Sequence, residues 1–292
     1  MPRYSHQRPE LTAEDVERIV AESPDYNHGG LGVNRPPFYE GLAGQAFTIR
    51  YDEGRILDYR FEDVHTLFWR ELGEDTWHEE YYEALTPDKN VVFFLHIIRG
   101  SKPQAARMVV VSTDTGRVTT FFAKIGNQYS AREVDREICF GYVDRGTPPQ
   151  GEPHCLTEDL VGKSIIWSYT DDFVIQHIYA SKWYSAFVDF YSPIGGMMLD
   201  SPCNYVKIND HMYIYSWIEI EGAGIQGFAL MNLHEMHDVG CFFGINGAGK
   251  FECYTFGATG EYVGQLTNLN IPNDVRADLP WPPVRATEEE KR

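Results

Sequence analysis

The chain predicts a mainly β protein, two tandem antiparallel β-barrels behind one short N-terminal helix. Three observations predict it. Short apolar and aromatic runs recur at regular spacing between turn residues, the two halves of the chain repeat one another, and a Pro/Gly-rich segment divides them. With 292 residues, 43% hydrophobic and 14% aromatic, the chain can build two cores of ordinary size.

The elements follow in order. "LTAEDVERIVAES" predicts one short helix, with Thr12 as N-cap and Asp15 three residues on. "NHGGLGVNRPP" reads as a loop. From Gly41 strand signals dominate: "QAFTIRY", "RILDYRF", "HTLFWRE", "NVVFFLHII", "ARMVVVS" and "RVTTFFAKI". Turn residues such as "DEG", "TPDKN" and "DTG" separate them. "GTPPQGEPH", Gly146 to His154, is the expected boundary. The organisation is therefore helix and loop over 1–40, a first barrel over 41–145, a linker over 146–156, a second barrel over 157–270, and a Pro-rich, charged tail over 271–292. That tail is expected to wrap the surface or stay disordered.

The repeat is specific. "GLAGQAFTIRYDEG" is echoed by "DLVGKSIIWSYTDD", so that Gly44 matches Gly162 and Tyr51 matches Tyr169. "VVFFLHII" corresponds to "IYSWIEIE", and "RVTTFFAKIGN" to "DVGCFFGINGA". Three matched blocks in one order, at near-constant offset, indicate two copies of one β-rich unit of about 100 residues. Barrels of that size are filled by their own side chains or hold one small ligand.

Composition excludes several partners. The 25 basic against 43 acidic residues give a formal charge of −18, which argues against nucleic acid and anionic membrane, since phosphate binding needs clustered Lys and Arg. No apolar run approaches the roughly 18 residues of a membrane span. The N-terminus has no uninterrupted apolar region of the kind a secretory signal needs, so a cytoplasmic location is expected. Five cysteines (Cys139, Cys155, Cys203, Cys241, Cys253) without CxxC spacing read as buried, reduced thiols.

Two apparent motifs carry no chemistry. "GINGAGKF" fits GxxxxGK, but Phe251 stands where a phosphate loop needs Ser or Thr, and "FECYTFG" continues as a strand rather than a helix. It reads as a turn between strands. "HEMH", with His234 and His237, matches a hairpin tip of the first half and lacks a third converging ligand. No metal site and no organic cofactor are expected.

The informative stretch is "YIYSWIEIEG", Tyr213 to Gly222. Alternation puts Tyr213, Tyr215, Trp217, Glu219 and Glu221 on one face and Ile214, Ser216, Ile218 and Ile220 on the other. In "KSIIWSY" one face carries Ile165, Trp167 and Tyr169; in "FVIQHIY" one face carries Phe173, Ile175, His177 and Tyr179. If these three faces point inward, they enclose a Trp/Tyr-lined cavity with two titratable groups, His177 and Glu219. A carboxyl group there would have its pKa raised by desolvation and trade protons near neutrality. Tyrosine hydroxyls would orient a ligand oxygen. The plainer alternatives are a wet outer face for the glutamates and a core role for His177.

These residues also carry a resemblance. "LVGKSIIWSYTDDFVIQHIYASKWY", "HMYIYSWIEIEGAG" and "VGCFFGI" resemble the C-terminal domain of the molybdenum cofactor biosynthesis protein F family, and the first half resembles that family's N-terminal domain. The same C-terminal blocks are similar to the phenolic acid decarboxylases. The resemblance implies lipocalin-like (calycin-type) barrels working without a cofactor. By the decarboxylase likeness Tyr169 matches a carboxylate-clamping tyrosine, Trp167 replaces its companion, and Glu219 matches an acid/base glutamate. The family's arginine has no counterpart, because no Arg occurs from Gly146 to Val275, which argues against a carboxylic acid substrate. His96 falls near the position of Glu219 in the first unit, as a second site or a packed histidine. The decarboxylase barrels pair as dimers, which implies an internal pseudodimer here, its face Ile214, Ile218 and Ile220 covered by the other barrel, with homodimer formation as a further option.

Two functions follow. One is a cofactor-independent lyase, hydratase or isomerase acting on a small aromatic or unsaturated molecule, with Glu219, Tyr169 and His177 catalytic and Trp167, Tyr179, Tyr213, Tyr215 and Trp217 binding. The other is a binding or accessory protein linked to molybdenum cofactor biology, its aromatic cage suited to an amine.

Overall fold

Alternation of interior and exterior residues along sixteen of the strands closes the chain into two barrels. The computed structural model describes residues 10–24, 26, 30–191, 196–219 and 224–265. The expected tail over 271–292, and Ile220 and Glu221 of the informative strand, lie outside them.

Helix α1 (Ala13–Glu22) opens on the expected capping box: Thr12 Oγ1 accepts from the Asp15 backbone N–H at 3.1 Å, and the Asp15 carboxylate accepts from the Thr12 N–H. The first barrel is β1 (Ala46–Tyr51), β2 (Ile56–Phe61), β3 (Thr66–Glu71), β4 (His78–Asp88), β5 (Val91–Ile98), β6 (Ala105–Ser112), β7 (Arg117–Ile125) and β8 (Val134–Val143). All pairings are antiparallel, and β8 returns to β1 through Ile49 opposite Val143 and Tyr51 opposite Gly141.

A two-residue strand, β9 (Cys155–Leu156), follows the boundary segment. The second barrel is β10 (Lys163–Thr170), β11 (Phe173–Ile178), β12 (Tyr184–Tyr191), β13 (Met198–Lys207), β14 (Met212–Ile218), β15 (Gln226–Asn232), β16 (His237–Ile245) and β17 (Phe251–Gln265). It also closes in chain order, β10 pairing with β17, while β9 adds to the end of β13. The repeated blocks therefore sit on equivalent strands: β1 and β10, β5 and β14, β7 and β16. Gly44 and Gly162 share a left-handed φ, 75° and 86°, which explains why glycine recurs there.

Some strands had no clear signature. β4 begins with the polar run "HEEYYE" and extends through "TPD", which reads as a turn in the sequence. β8 mixes charges with apolar residues, "VDREICFGYV". Period-two alternation is blurred in both, because polar side chains lie on the inward face.

Three apolar clusters account for the burial. One fills the first barrel (Leu57, Tyr59, Leu67, Phe94, Val109) and one the second (Ile165, Trp167, Tyr205, Tyr215, Phe256). The third is the layer between the barrels, and it draws on both: Phe93, Leu95, Met108 and Phe121 from the first, and Ile214, Ile218, Phe228 and Leu230 from the second. Phe228 stacks on Phe93 at 5.0 Å and meets Phe121 edge-on at 5.1 Å. That layer explains why every residue of β14 is buried, on both faces.

The boundary segment is less of a linker than its composition predicts. His154 is buried, its ring nitrogens 2.9 Å from both Ser112 Oγ and Thr119 Oγ1 of the first barrel. None of the five cysteines is in a disulfide; four are buried as expected, whereas Cys155 is exposed on β9 because that strand lies at a sheet edge. Among the described residues no helix is long and apolar enough to cross a membrane. None of their His, Cys, Asp and Glu side chains forms a group of three or more suited to a metal.

Candidate functional site

The second barrel contains a cavity of about 380 Å³ at the end where β14 finishes. The inward faces of the strands have the phase that alternation predicts. Tyr169 comes from β10, Phe173, Ile175 and His177 from β11, and Trp217 and Glu219 from the end of β14. Local sequence explains the placement of Trp217. Its partner across the ladder is Gly227, where a Cβ would collide with the indole, so glycine lets the ring lie flat over the neighbouring strand.

The structure brings four of the predicted residues to the cavity: Tyr169, His177, Trp217 and Glu219. The other four pack elsewhere in the barrel. Trp167 is fully buried and donates from Nε1 to the Tyr179 hydroxyl at 3.2 Å, and Tyr179 in turn lies 3.1 Å from the Met231 sulfur. Tyr215 pairs with Ser185 Oγ at 2.7 Å. Tyr213, at the far end of the strand, donates to Asp159 at 3.1 Å. The aromatic ladder of β14 thus runs the length of the barrel, and only its last two rungs reach the cavity.

Glu219 accepts from Trp217 Nε1 at 3.2 Å. Burial pushes its carboxyl up to about 7; the indole N–H opposes that shift, and the nearby Glu252 carboxylate reinforces it. Glu252 is itself raised by burial and accepts from Asn246 Nδ2 at 2.6 Å. Tyr254, beside both glutamates, is held protonated by burial and by their charge. His177 behaves differently. Burial alone holds its imidazole down to about 3, and its Nδ1 has no hydrogen-bond partner. Its ring lies 5.1 Å from Tyr215 and 5.5 Å from Trp217. Tyr169 stays protonated because its hydroxyl is desolvated.

Sequence reasoning missed part of the wall. Asp189, Phe242, Glu252 and Tyr254 follow from continuing the alternation along β12, β16 and β17. Leu31 had no signal. It lies in a short 3₁₀ turn, Gly30–Gly32, within the stretch read as loop, and closes one side of the cavity. The segment that follows is anchored to the second barrel: Asn34 Nδ2 donates to the Ser168 carbonyl at 2.9 Å, and Arg35 donates to Thr255 Oγ1 at 2.8 Å. Gly257 permits that approach, since a Cβ there would fall 2.7 Å from the Asn34 carbonyl oxygen.

The two rejected motifs are turns. Asn246 Oδ1 accepts from the backbone N–H groups of Ala248 and Lys250, tying the tight turn between β16 and β17. His234 and Glu235 are exposed at the tip between β15 and β16. Asp238, next to that tip, is buried rather than solvated, because the strand turns it inward beside Tyr169 and Tyr179; burial pushes its carboxyl well up.

Comparison with known proteins bears on both barrels. The family model described as the MoaF N-terminal domain matches residues 28–127, and the one described as the MoaF C-terminal domain matches residues 154–266. No curated protein matches. Among solved structures, a putative β-lactamase from Burkholderia vietnamiensis is 11% identical with a TM-score of 0.31, covering 36% of this chain and 96% of its own. A protein of unknown function from the DUF3598 family of Nostoc punctiforme is 11% identical with a TM-score of 0.34, covering 75% of this chain and 94% of its own.

Proposed function

We propose, from the premise that this chain belongs to the MoaF family, that its second barrel is a cofactor-independent acid/base enzyme acting on a small aromatic or unsaturated molecule. The observation that carries the reading is Glu219. A carboxyl group near pKa 7 on the wall of an aromatic cavity is about half protonated at neutral pH, so it can give a proton and take one back.

The other residues fit around that step. The Trp217 indole N–H steadies the anionic form of Glu219, and Glu252 favours the neutral form, so the two partners poise the group between them. The Tyr169 hydroxyl, which stays protonated, donates to a substrate oxygen on which negative charge develops. His177 is neutral throughout the working range, so it serves as a hydrogen-bonding group that orients the substrate rather than as a proton carrier. Trp217 and Phe242 supply apolar faces for a planar ligand. Lyase, hydratase and isomerase reactions all require such a transfer without redox help.

The test is deuterium incorporation from D₂O, followed by NMR, across small phenols, styrenes and enones. At least one probe should exchange, and Glu219→Gln should slow that exchange by about 10²- to 10⁴-fold while the probe still binds. Undiminished exchange in Glu219→Gln would remove Glu219 from the chemistry.

A second reading has its own observation. Glu219, Glu252 and Asp189 line the cavity, and among the described residues none of its lining side chains is a Lys or Arg. A cage of aromatics and carboxylates suits an amine or quaternary cation, as in a binding or accessory protein linked to molybdenum cofactor biology. That reading expects benzyltrimethylammonium to bind and Trp217→Ala to weaken it, with no deuterium entering any probe.

A further inference from the structure

The interior of the first barrel is chemically unlike that of the second. Val109 and Val111 of β6 point into it, and Arg107 shares their face. The Arg107 guanidinium lies 3.7 Å above the Trp69 ring and 5.5 Å from Phe122. Among the described residues its guanidinium makes one hydrogen bond, a long one of 3.5 Å to the Tyr59 hydroxyl. No carboxylate among the described residues comes within ion-pair distance of it. Carboxylates of the first barrel are engaged with other groups: Glu137 holds Arg55 at 3.0 Å, and Glu80 accepts from the Arg99 backbone N–H at 2.9 Å.

A guanidinium carries five N–H donors and no acceptor, and stacking on aromatic faces leaves its edge to be satisfied. Burying such a charge without a counter-charge is costly, and contact with a ring offsets only part of that cost. In a chain of formal charge −18 with 43 acidic residues, a carboxylate partner would be easy to supply, yet this arginine has none among the described residues. Its polar neighbours inside the barrel are neutral. Tyr59 bonds His96 Nε2 at 3.2 Å, so with Arg107 donating to the tyrosine oxygen, the hydroxyl proton is directed to His96. Tyr51 pairs with Thr120 Oγ1 at 2.8 Å. The buried Trp69 Nε1 has no hydrogen-bond partner. Arg107 keeps 9% of its surface in contact with solvent.

We infer that the first barrel is a receptor for a small organic carboxylate, which Arg107 holds through the edge of its guanidinium against the rings of Trp69 and Phe122. A cation beside neutral hydroxyl, indole and imidazole groups matches a negative charge, since Arg55, 4.2 Å over the same Phe122 ring, is already held by Glu137. The aromatic floor suits an apolar body behind it. The second barrel, whose cavity is lined by carboxylates, would repel the same ligand. The two halves of the repeat have thus diverged into interiors of opposite charge preference.

Titration calorimetry of the full chain with sodium benzoate, and with benzamide as its neutral counterpart of the same shape, tests this. Benzoate should bind at one first-barrel site, and benzamide should not displace it from that site. Arg107→Met should weaken benzoate by about 10- to 100-fold, the loss of charge-assisted hydrogen bonds. Glu219→Gln and Trp217→Ala, in the other barrel, should leave benzoate affinity unchanged. The wild-type comparison of benzoate with benzamide stands whatever the folding of Arg107→Met, whose unfolding midpoint is read alongside. The inference is overturned if benzoate gives no binding at millimolar concentration, if benzamide displaces benzoate, or if a folded Arg107→Met binds benzoate undiminished. Loss of benzoate binding in the second-barrel variants would overturn it equally.

Discussion

Two buried side chains with opposite pKa displacements, Glu219 and His177, make opposite contributions to how this protein should respond to pH. The folded state holds the Glu219 proton up to about pH 7, whereas the unfolded chain releases it near the ordinary value of 4.5. The folded state therefore binds more protons in that window, and this group's contribution is full below 4.5 and lost as pH rises to 7. His177 works the other way. The unfolded chain takes up a proton near 6.5, which the folded state refuses down to about 3, so its contribution is full above 6.5 and lost as pH falls. Urea midpoints measured from pH 4 to 8 should show this. Relative to wild type, Glu219→Gln should gain stability as pH rises through 4.5 to 7, and His177→Gln should gain as pH falls below 6.5. Parallel profiles for all three proteins would show that neither group is displaced. Glu219 and His177 were legible in the sequence because strict alternation fixes which side chains share a face. Arg107 was equally legible in principle, as Val109 and Val111 set its phase, but a lone basic residue in a valine-rich strand has no pattern that marks it as buried.

At the scale of elements, the internal repeat was the most informative feature of the sequence. It ties β1 to β10, β5 to β14 and β7 to β16, and with that the strand count of one barrel follows from the other. β4 and β8 escaped because charged residues on inward positions interrupt the apolar alternation. The site itself was half legible. Period two gives the face of a side chain, but it does not give the depth at which a barrel interior stops being packed core and becomes cavity. Trp167, Tyr179, Tyr213 and Tyr215 share the inward face with Trp217 and Glu219 yet pack as core, whereas the cavity lies near the end of β14. The closure by Leu31 depends on a contact between residues far apart in sequence, made possible by a missing Cβ at Gly257.

For the whole molecule, the apolar layer between the barrels makes the two folding units interdependent. Ile214, Ile218, Phe228 and Leu230 would form an exposed apolar patch on an isolated second barrel, and Phe93, Met108 and Phe121 would do so on the first. Polar locks span the same layer: Thr255 Oγ1 donates to the buried Glu83 carboxylate, and Asn232 Nδ2 donates to the Pro87 carbonyl at 3.0 Å. Phe228→Ala, which removes one ring from a stack shared by both barrels, should cost about 3–5 kcal/mol. It should lower the unfolding midpoints reported by probes in either barrel together, as one transition. Loss confined to the second barrel, with the first unfolding as before, would show that the layer does not couple them.

The central claim is that Glu219 exchanges a proton near neutral pH inside the second barrel, and its carboxyl group can be observed directly. A ¹³C NMR titration of side-chain-labelled protein, with Glu219→Gln to assign the resonance, should give an apparent pKa of about 7 for this group. A value near the ordinary 4.5 would mean that the carboxyl is solvated and ionised at neutrality, and would contradict the account.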